Sequence, residues 1–158
     1  MRVNIPQNLT PYHLLAPAAD AAGRTSSYLS LKNAVKAWII VYVEQGNAGT
    51  ILLSPLQASA VAGTGSKAIS VARIWTKLDE ASADFAAAAE AATYTTDAAL
   101  KKKIVIFELD IEKVFDVANN FDCIAISTGA SNAANITSAL LIVQPKHAGA
   151  VIPGPLLD

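Results

Sequence analysis

The chain has 158 residues, of which 53% are hydrophobic and 16% are charged, and its formal net charge at pH 7 is −1. This length suits one domain that buries roughly two thirds of its unfolded surface and needs no disulfide bond or metal site for stability. The near-zero net charge excludes the basic surface that a nucleic-acid-binding protein requires. No run approaches the roughly eighteen apolar residues of a membrane span. Soluble domains contain about a quarter charged residues, so the 16% found here leaves a surface that is poor in charge. We therefore expect neighbouring molecules to cover part of this surface.

Prolines interrupt the first two dozen residues, at positions 6, 11 and 17. Proline fixes φ and lacks a backbone N–H, so neither a long helix nor a central strand suits this segment. We predict an N-terminal arm over residues 1–23, a β-sandwich domain over residues 24–145 and a second proline-rich arm over residues 146–158. Both arms contain apolar residues, which indicates docking, either on another subunit or along their own domain.

Between the arms, short runs rich in β-branched and aromatic residues alternate with turn signals, as in all-β sandwiches and barrels. These runs predict strands at about Ser27–Asn33, Val35–Gln45, Thr50–Val61, Lys67–Leu78, Ala89–Thr95, Lys101–Asp110, Cys123–Thr128 and Ser138–Gln144. The middle of the run at 101–110 is apolar on both faces, which indicates packing within the sandwich and against something else. We therefore predict a jelly-roll-like antiparallel β-sandwich of about eight strands with extended N- and C-terminal arms.

Two segments favour helix locally. The alanine-rich stretch at 82–98 is compatible with a short helix over Asp84–Ala91, with Ser82 as its N-cap, because alanine is the best helix former. The sequence that follows, Ala92–Thr95, favours an extended conformation. One further helical turn fits within Asp110–Asn120.

The stretch AVAGTGSKAIS, residues 60–70, looks like a phosphate-binding loop. It departs from the G-x-x-x-x-G-K-[ST] pattern at three positions, because Ala60 replaces the first glycine, Ser66 precedes the lysine and Ala68 replaces the metal-binding hydroxyl. Glycine clusters of this kind punctuate strands. We therefore predict a turn between two strands and no nucleotide site.

Side chains that could perform chemistry are few and scattered. His13 and His147 lie in the predicted arms, away from the predicted strands. Cys123, the one cysteine, stands in an apolar extended setting, which favours a buried unreactive thiol over a nucleophile and excludes an internal disulfide. We assign no catalytic, cofactor-binding or metal-binding residue, and we expect neither enzyme activity nor a cofactor.

The charged runs around the 101–110 strand have structural interpretations as well. Glu108, Asp110 and Glu112 stand at i, i+2 and i+4, a spacing that could pair acids or bind calcium. Their position at the end of a strand favours a charged strand terminus or a subunit contact. The basic run Lys101–Lys103 is interpreted as a solvated strand end.

Several short motifs between residues 23 and 143 carry a family resemblance: GRTSSY, SLKNA, QGN, PLQA, FDCI and TGASNAANI. In these segments the chain resembles the head decoration, or cement, proteins of tailed bacteriophages. The resemblance implies a virion component with a jelly-roll-like β-sandwich, assembled in the bacterial host cytoplasm and attached in many copies to the capsid exterior. The implied partners are the major capsid protein and other copies of the chain, for example in a trimer, and not nucleic acid or a membrane.

The leading hypothesis is therefore a decoration protein that stabilises a shell by bridging adjacent capsid subunits. One alternative is a carbohydrate-binding, lectin-like module, since the same architecture hosts sugar sites. It requires an exposed aromatic platform from Trp38, Trp75 or Tyr42, whereas the β patterns around both tryptophans favour core packing. A further alternative places the protein in a phage tail or neck.

Overall fold

The computed structural model describes residues 8–81 and 84–146. In these residues the strands are, in chain order, β1 (Thr10–Ala19), β2 (Arg24–Thr25), β3 (Leu29–Ser30), β4 (Ala34–Gln45), β5 (Leu52–Ala58), β6 (Lys67–Ala68), β7 (Arg73–Lys77), β8 (Ala86–Ala87), β9 (Tyr94–Thr95), β10 (Lys102–Asp110), β11 (Cys123–Thr128) and β12 (Asn135–Pro145). A helical turn, α1 (Ile111–Val114), and a 3-10 turn (Val117–Asn119) separate β10 from β11.

The strands pair antiparallel in two sheets. The larger sheet has the order β1, β12, β4, β10, β7, β8. The smaller sheet has the order β2, β11, β5, β6, with β3 also beside β11 and β9 beside β5. Ile39 and Phe107 of the larger sheet share one buried apolar cluster with Leu53 and Ile124 of the smaller sheet, so the sheets pack face to face around a common core. The predicted all-β antiparallel sandwich is confirmed.

The long strands other than β1 lie close to where the sequence predicts them. β11 coincides with the predicted Cys123–Thr128, while β4 and β10 each begin one residue away from the predicted start. The predicted strand Lys67–Leu78 divides into β6, in the smaller sheet, and β7, in the larger sheet. The helical turn expected within Asp110–Asn120 is confirmed as α1.

The alanine-rich segment does not form the short helix expected over Asp84–Ala91. Ala86 and Ala87 form β8 and pair with β7 at the edge of the larger sheet. The neighbouring N–H groups of Ala88 and Ala91 donate to the carbonyls of Ile74 and Ala72 at 2.9 and 3.1 Å. Pairing with a sheet edge outweighs the helix propensity of alanine here, because propensity is a weak preference of a few tenths of a kcal/mol per residue.

The N-terminal arm predicted over residues 1–23 is wrong for residues 10–19, which form β1 within the larger sheet. Among the described strands β1 pairs only with β12, as an edge strand, and register shifts lie between His13 and Leu15 and between Leu15 and Ala18. Edge strands and irregular pairing accommodate proline, which cannot donate to a ladder. The side chains of Leu14 and Leu15 are buried in the core, so this segment lies along its own domain.

A tight corner carries the chain from β1 in the larger sheet to β2 in the smaller sheet. Gly23 adopts φ +70 there, and a Cβ on it would lie 2.6 Å from the carbonyl oxygen of Thr128. The guanidinium of Arg24 donates to the carbonyls of Ala16, Ala18 and Thr137 at 2.9–3.0 Å. This corner therefore ties the edge strand to its neighbour β12 through one side chain.

Of the predicted C-terminal arm, 146–158, the described part consists of Lys146. Its backbone N–H donates to the carbonyl of Asn33 at 2.8 Å, beside the start of β4. The remaining residues of this arm lie outside the described residues, as do residues 1–7 of the N-terminal arm.

Candidate interaction surface

The outward face of the larger sheet is built by the same period-two alternation that builds the core. Along β4, residues Ala37, Ile39, Val41 and Val43 are fully buried against the smaller sheet. The intervening side chains point the opposite way and are half-buried. The corresponding positions of β10 and β12 follow the same pattern, so three adjacent long strands present one continuous outward surface.

This surface is apolar at its centre. Strand register places Leu140, Ile40, Ile106 and Trp75 side by side in one row across four strands. Above and below that row lie further outward side chains, and we call the whole set the outer apolar face: Trp38, Ile40, Tyr42, Trp75, Ile104, Ile106, Leu140 and Ile142. Leu140 is 48% exposed. The outer apolar face is a surface of the kind that marks interaction sites.

The β1 edge extends this face with exposed residues. Pro11 pairs with Ile142, and His13 pairs with Leu140; both are exposed. His13, expected to be a surface or contact residue in an arm, therefore lies on an edge strand next to the outer apolar face. His147 lies outside the described residues.

Charged groups border the outer apolar face at the end where β10 terminates. Lys36 forms an ion pair with Glu108, and the indole N–H of Trp75 donates to the same carboxylate at 2.9 Å. The donation from Lys36, followed by that from Trp75, holds the pKa of Glu108 below its ordinary value of 4.5, although burial opposes the shift. The Lys36 ammonium also lies 5.5 Å from the ring centroid of Trp38, within cation–π range.

At the other end of the face, Tyr42 is held by a hydrogen bond. Its hydroxyl donates to Oε2 of Glu80 at 3.0 Å. Burial, followed by the adjacent Glu80 carboxylate, raises the pKa of Tyr42 above its ordinary value of 10.0. This aromatic ring is therefore fixed on the sheet surface.

The predicted core packing of Trp38 and Trp75 is wrong, because both rings lie on the outward face and are half-buried. Trp38 stands between the inward residues Ala37 and Ile39, so its side chain must point away from the core. Sequence patterning could not decide the matter, because Ile40 and Ile106 make the outward face as apolar as the inward one.

The three carboxylates at 108, 110 and 112 do not share one strand face. Glu108 and Asp110 belong to β10, whereas Glu112 belongs to the helical turn α1. Asp110 forms an ion pair with Lys113 at 2.9 Å. Within residues 8–81 and 84–146, no group of three or more histidine, cysteine or acidic side chains is placed to hold a metal ion.

The predicted solvated end at Lys101–Lys103 is wrong for Lys103, whose side chain is fully buried. Its ammonium donates to Oε1 of Gln45 at 2.7 Å and to the carbonyl of Ala99 at 2.5 Å, and it lies 2.9 Å from the carboxylate of Asp97. Burial tends to raise the pKa of Asp97, but the hydrogen bonds from Lys103 and from the Ala99 N–H bring it below its ordinary value of 3.8.

Lys103 could have been identified from its parity. It stands two residues before Val105 and four before Phe107, which are both fully buried, whereas Lys102 has the opposite parity and is exposed. Gln45 likewise continues the inward positions of β4. A buried lysine with several acceptors belongs to the structural framework at this end of the sandwich.

Two resemblance motifs, QGN and TGASNAANI, meet beside this buried lysine. The Asn135 side chain accepts from the backbone N–H of Asn47 at 2.8 Å and donates to the carbonyl of Gly49 at 2.7 Å and to the Ser131 hydroxyl at 2.9 Å. Asn135 is fully buried. These motif residues satisfy buried backbone groups in a loop, so their role in this structure is architectural.

The glycine-rich stretch at 60–70 forms the predicted connection between strands, here β5 and β6. Gly63 and Gly65 have φ values of +81 and +66, and Ser59 N–H donates across the turn to the Thr64 carbonyl at 3.0 Å. Lys67 forms an ion pair with Asp116 at 2.5 Å and lies 4.0 Å from the ring centroid of Phe121. The lysine that suggested phosphate binding is thus engaged by the protein.

Cys123 is fully buried, as predicted, and its thiol lies 3.2 Å from Oδ1 of Asp122. In the part of the chain that the structure describes, no helix is long and apolar enough to cross a membrane.

No protein-family model matches the chain, and the comparison with curated proteins found no match. Among solved structures, the fold is similar to the crystal structure of SPBc2 prophage-derived protein YomS, with a TM-score of 0.50 and 8% sequence identity. The similarity covers 91% of this chain and 99% of that one. At this identity the likeness concerns the fold, which extends over nearly the whole of both chains.

Proposed function

We propose that this chain is a bacteriophage virion protein that decorates the exterior of a capsid and stabilises it by bridging adjacent capsid subunits. Its partners are the major capsid protein and other copies of itself, for example in a trimer. The observation that carries the proposal is the outer apolar face, a continuous apolar surface on one side of an all-β sandwich.

The chemistry of the outer apolar face suits a protein partner. Its centre consists of aliphatic and aromatic side chains, and its border carries the Lys36–Glu108 ion pair and the Tyr42–Glu80 hydrogen bond. An apolar centre with a polar rim is the usual anatomy of a protein–protein interface. Exclusion of water from the isoleucine and leucine side chains would supply the binding free energy.

Two further observations support a phage context. The similar fold belongs to a prophage-derived protein, and the short motifs of the sequence resemble phage head decoration proteins. The edge strand β1 offers a second means of bridging, because its outer edge has no strand beside it within the described sheet and could pair with a neighbour by strand addition. Many weak contacts of this kind reinforce one another in an assembled shell.

The test begins with purified virions. Mass spectrometry should identify this chain in them, and electron microscopy should show its density outside the shell at symmetry-related positions. Density in the tail or neck would move the protein within the virion and overturn the capsid assignment. Absence from virions would overturn the virion role altogether.

A pair of variants tests the surface itself. Leu140→Glu places a charge on the outer apolar face, whereas Leu100→Glu places one at another exposed leucine, which precedes β10 outside that face. We expect Leu140→Glu to weaken binding to shells lacking the protein by about tenfold or more, as for an interface residue that contributes about 1.4 kcal/mol or more. Leu100→Glu should bind like the parent chain. Equal binding by both variants, each verified as folded by circular dichroism, would contradict the assignment of this face.

Carbohydrate binding is a second candidate, favoured by one observation. The candidates for a sugar-binding platform, Trp38, Trp75 and Tyr42, all lie half-buried on the outer apolar face. Flat aromatic rings bind the apolar faces of sugars. Binding of an oligosaccharide on a glycan array, abolished by Trp38→Ala and retained by Leu140→Glu, would favour this candidate over the capsid role.

A further inference from the structure

A groove of about 820 Å³ opens at the end of the sandwich where β4 begins and β10 ends. We call it the end groove and define it by five apolar residues that line it: Leu31, Val35, Ile111, Val117 and Phe121. It is separate from the outer apolar face, because its apolar lining comes from the start of β4 and the segment before it, from α1 and from the segment before β11.

The end groove is an opening onto the hydrophobic core. Leu31 and Ile111 are buried members of the core cluster and also line the groove. Val35 lies at the register shift between β4 and β12, where Pro145 pairs with the buried Ala34, and Val35 itself is 48% exposed. Val117 is 50% exposed. At this end of the sandwich, then, exposed apolar side chains lie next to buried members of the core.

The described chain ends at the groove. Lys146, its last residue, lines the groove, and its backbone N–H is fixed to the Asn33 carbonyl at 2.8 Å. The sequence continues with twelve residues, 147–158, which include Val151, Ile152 and the pair Leu156–Leu157. Extended, twelve residues span up to about 40 Å, so this segment can reach every part of the groove from its anchor.

The segment and the groove also match in charge. Residues 148–157 contain no acidic or basic side chain. The groove rim combines the carboxylates of Asp110, Glu112 and Asp122 with the ammonium groups of Lys32 and Lys146. This near-balance of charge at the rim, around an apolar floor, gives neither an anionic nor a strongly cationic ligand an advantage, and it suits an uncharged apolar peptide.

We propose that residues 147–158 dock in the end groove of their own chain, with Val151, Ile152 and the leucine pair covering the exposed end of the core. Pro153 and Pro155 favour an extended backbone, which lies along a groove at low entropic cost. Attachment at Lys146 gives the segment a high effective concentration at the groove, which favours docking within one chain over exchange between chains. The proposal does not depend on the capsid role.

The test uses the full chain with a nitroxide spin label at Asp158→Cys, twelve residues beyond Lys146, because a label close to Lys146 would lie near the groove whether or not the segment docks. Amide signals of Val35, Val117 and Phe121 should lose most of their intensity by paramagnetic broadening in a ¹⁵N-labelled sample. A label at Leu100→Cys, beyond the opposite end of β10, is the control and should leave these signals unchanged. Buried Cys123 is replaced by alanine in both labelled proteins and in the unlabelled reference.

Two further samples decide the occupant. A mixture of ¹⁵N-labelled chains without nitroxide and unlabelled chains carrying it should show no broadening at the groove; broadening there would mean that the segment docks on a second copy and would overturn docking within one chain. Val117→Asp should abolish the intramolecular broadening, whereas Leu100→Asp should preserve it. Unbroadened groove signals in the first sample, with the parent groove intact, would overturn the proposal.

Discussion

The ammonium of Lys103 is fully buried and is bonded to a side-chain oxygen, two carbonyls and a carboxylate. Lysine is almost never fully buried unless it is paired. The network has a structural role, because it connects the end of β4 to the start of β10. It also connects both strands to residues 97–99, which link β9 of the smaller sheet to β10 of the larger sheet.

We expect Lys103→Met to lower the free energy of unfolding by about 2–4 kcal/mol, because Gln45 and two backbone carbonyls lose their hydrogen-bond donor. A buried acceptor left unsatisfied costs about 1–3 kcal/mol, and water that reaches the site reduces part of that cost. Chemical denaturation measures the change. Lys102→Met is the matched control: its side chain is exposed and lies 3.9 Å from Glu44, so its effect should stay within about 0.5 kcal/mol. Similar losses in the two variants would contradict a structural role for the buried ammonium.

Among the elements, the corner between β1 and β2 shows why the GRTSSY motif is built as it is. The glycine meets a positive φ and a backbone oxygen at once, and the arginine that follows it supplies donors to strands β1 and β12. The corner fixes where the edge strand leaves the larger sheet. The glycine and the arginine of this corner therefore have structural roles that follow from the backbone geometry.

We expect Gly23→Ala to destabilise the protein by more than about 2 kcal/mol, since a left-handed conformation costs a non-glycine residue about 1–2 kcal/mol and the new Cβ would also meet the Thr128 oxygen at 2.6 Å. Gly65→Ala separates the two effects. Gly65 has φ +66, but its nearest neighbour would be the ring of Phe121 at 3.4 Å, so the conformational cost alone applies there. Equal destabilisation of the two variants in chemical denaturation would show that the close approach to Thr128 carries no weight.

Period-two patterning predicted the long elements and failed where other physics decides. β4 and β10 are recognisable because apolar residues occupy both faces of each strand. For the same reason the sequence could not show that Trp38 and Ile40 lie on the outward face of β4. β1 escaped prediction because prolines argue against strands, although an edge with register shifts tolerates them. β8 escaped because alanine favours helix, and a tertiary partner on β7 outweighed that preference.

At the scale of the whole molecule, sequence reasoning predicted the sandwich and an apolar outward side on the 101–110 strand, but it predicted neither the extent of the outer apolar face nor the end groove. The outer apolar face depends on register between strands far apart in sequence, such as Leu140 beside Ile40 and Ile106. The end groove depends on where three separate segments meet. Neither arrangement has a local signature, because pairing partners lie tens of residues apart. Two features of the sequence anticipated an interaction surface: the low fraction of charged residues, and the two apolar faces of the 101–110 run.

Because the protein has few charged groups, the dependence of its stability on acid pH can be assigned to few carboxylates. The pKa values of Glu108 and Asp97 are held below the ordinary values of 4.5 and 3.8. A carboxylate with a lowered folded-state pKa stabilises the protein fully above the unfolded value, and that contribution disappears as the pH falls through the folded value. We therefore expect the free energy of unfolding to fall as the pH drops below about 4.5.

Glu108→Gln tests this acid dependence, because it removes one of the responsible groups while keeping a side chain of nearly the same shape. The variant should be less stable than the parent at pH 7, where it has lost the charge-assisted bonds from Lys36 and Trp75, and the difference should shrink as the pH falls below 4.5. Urea denaturation between pH 7 and pH 2.5 measures both curves. Glu112→Gln, at an exposed position in α1, is the control and should follow the parent. A stability difference between Glu108→Gln and the parent that stays constant over this range would contradict the assignment, because protonation would then not be what breaks the Lys36–Glu108 pair.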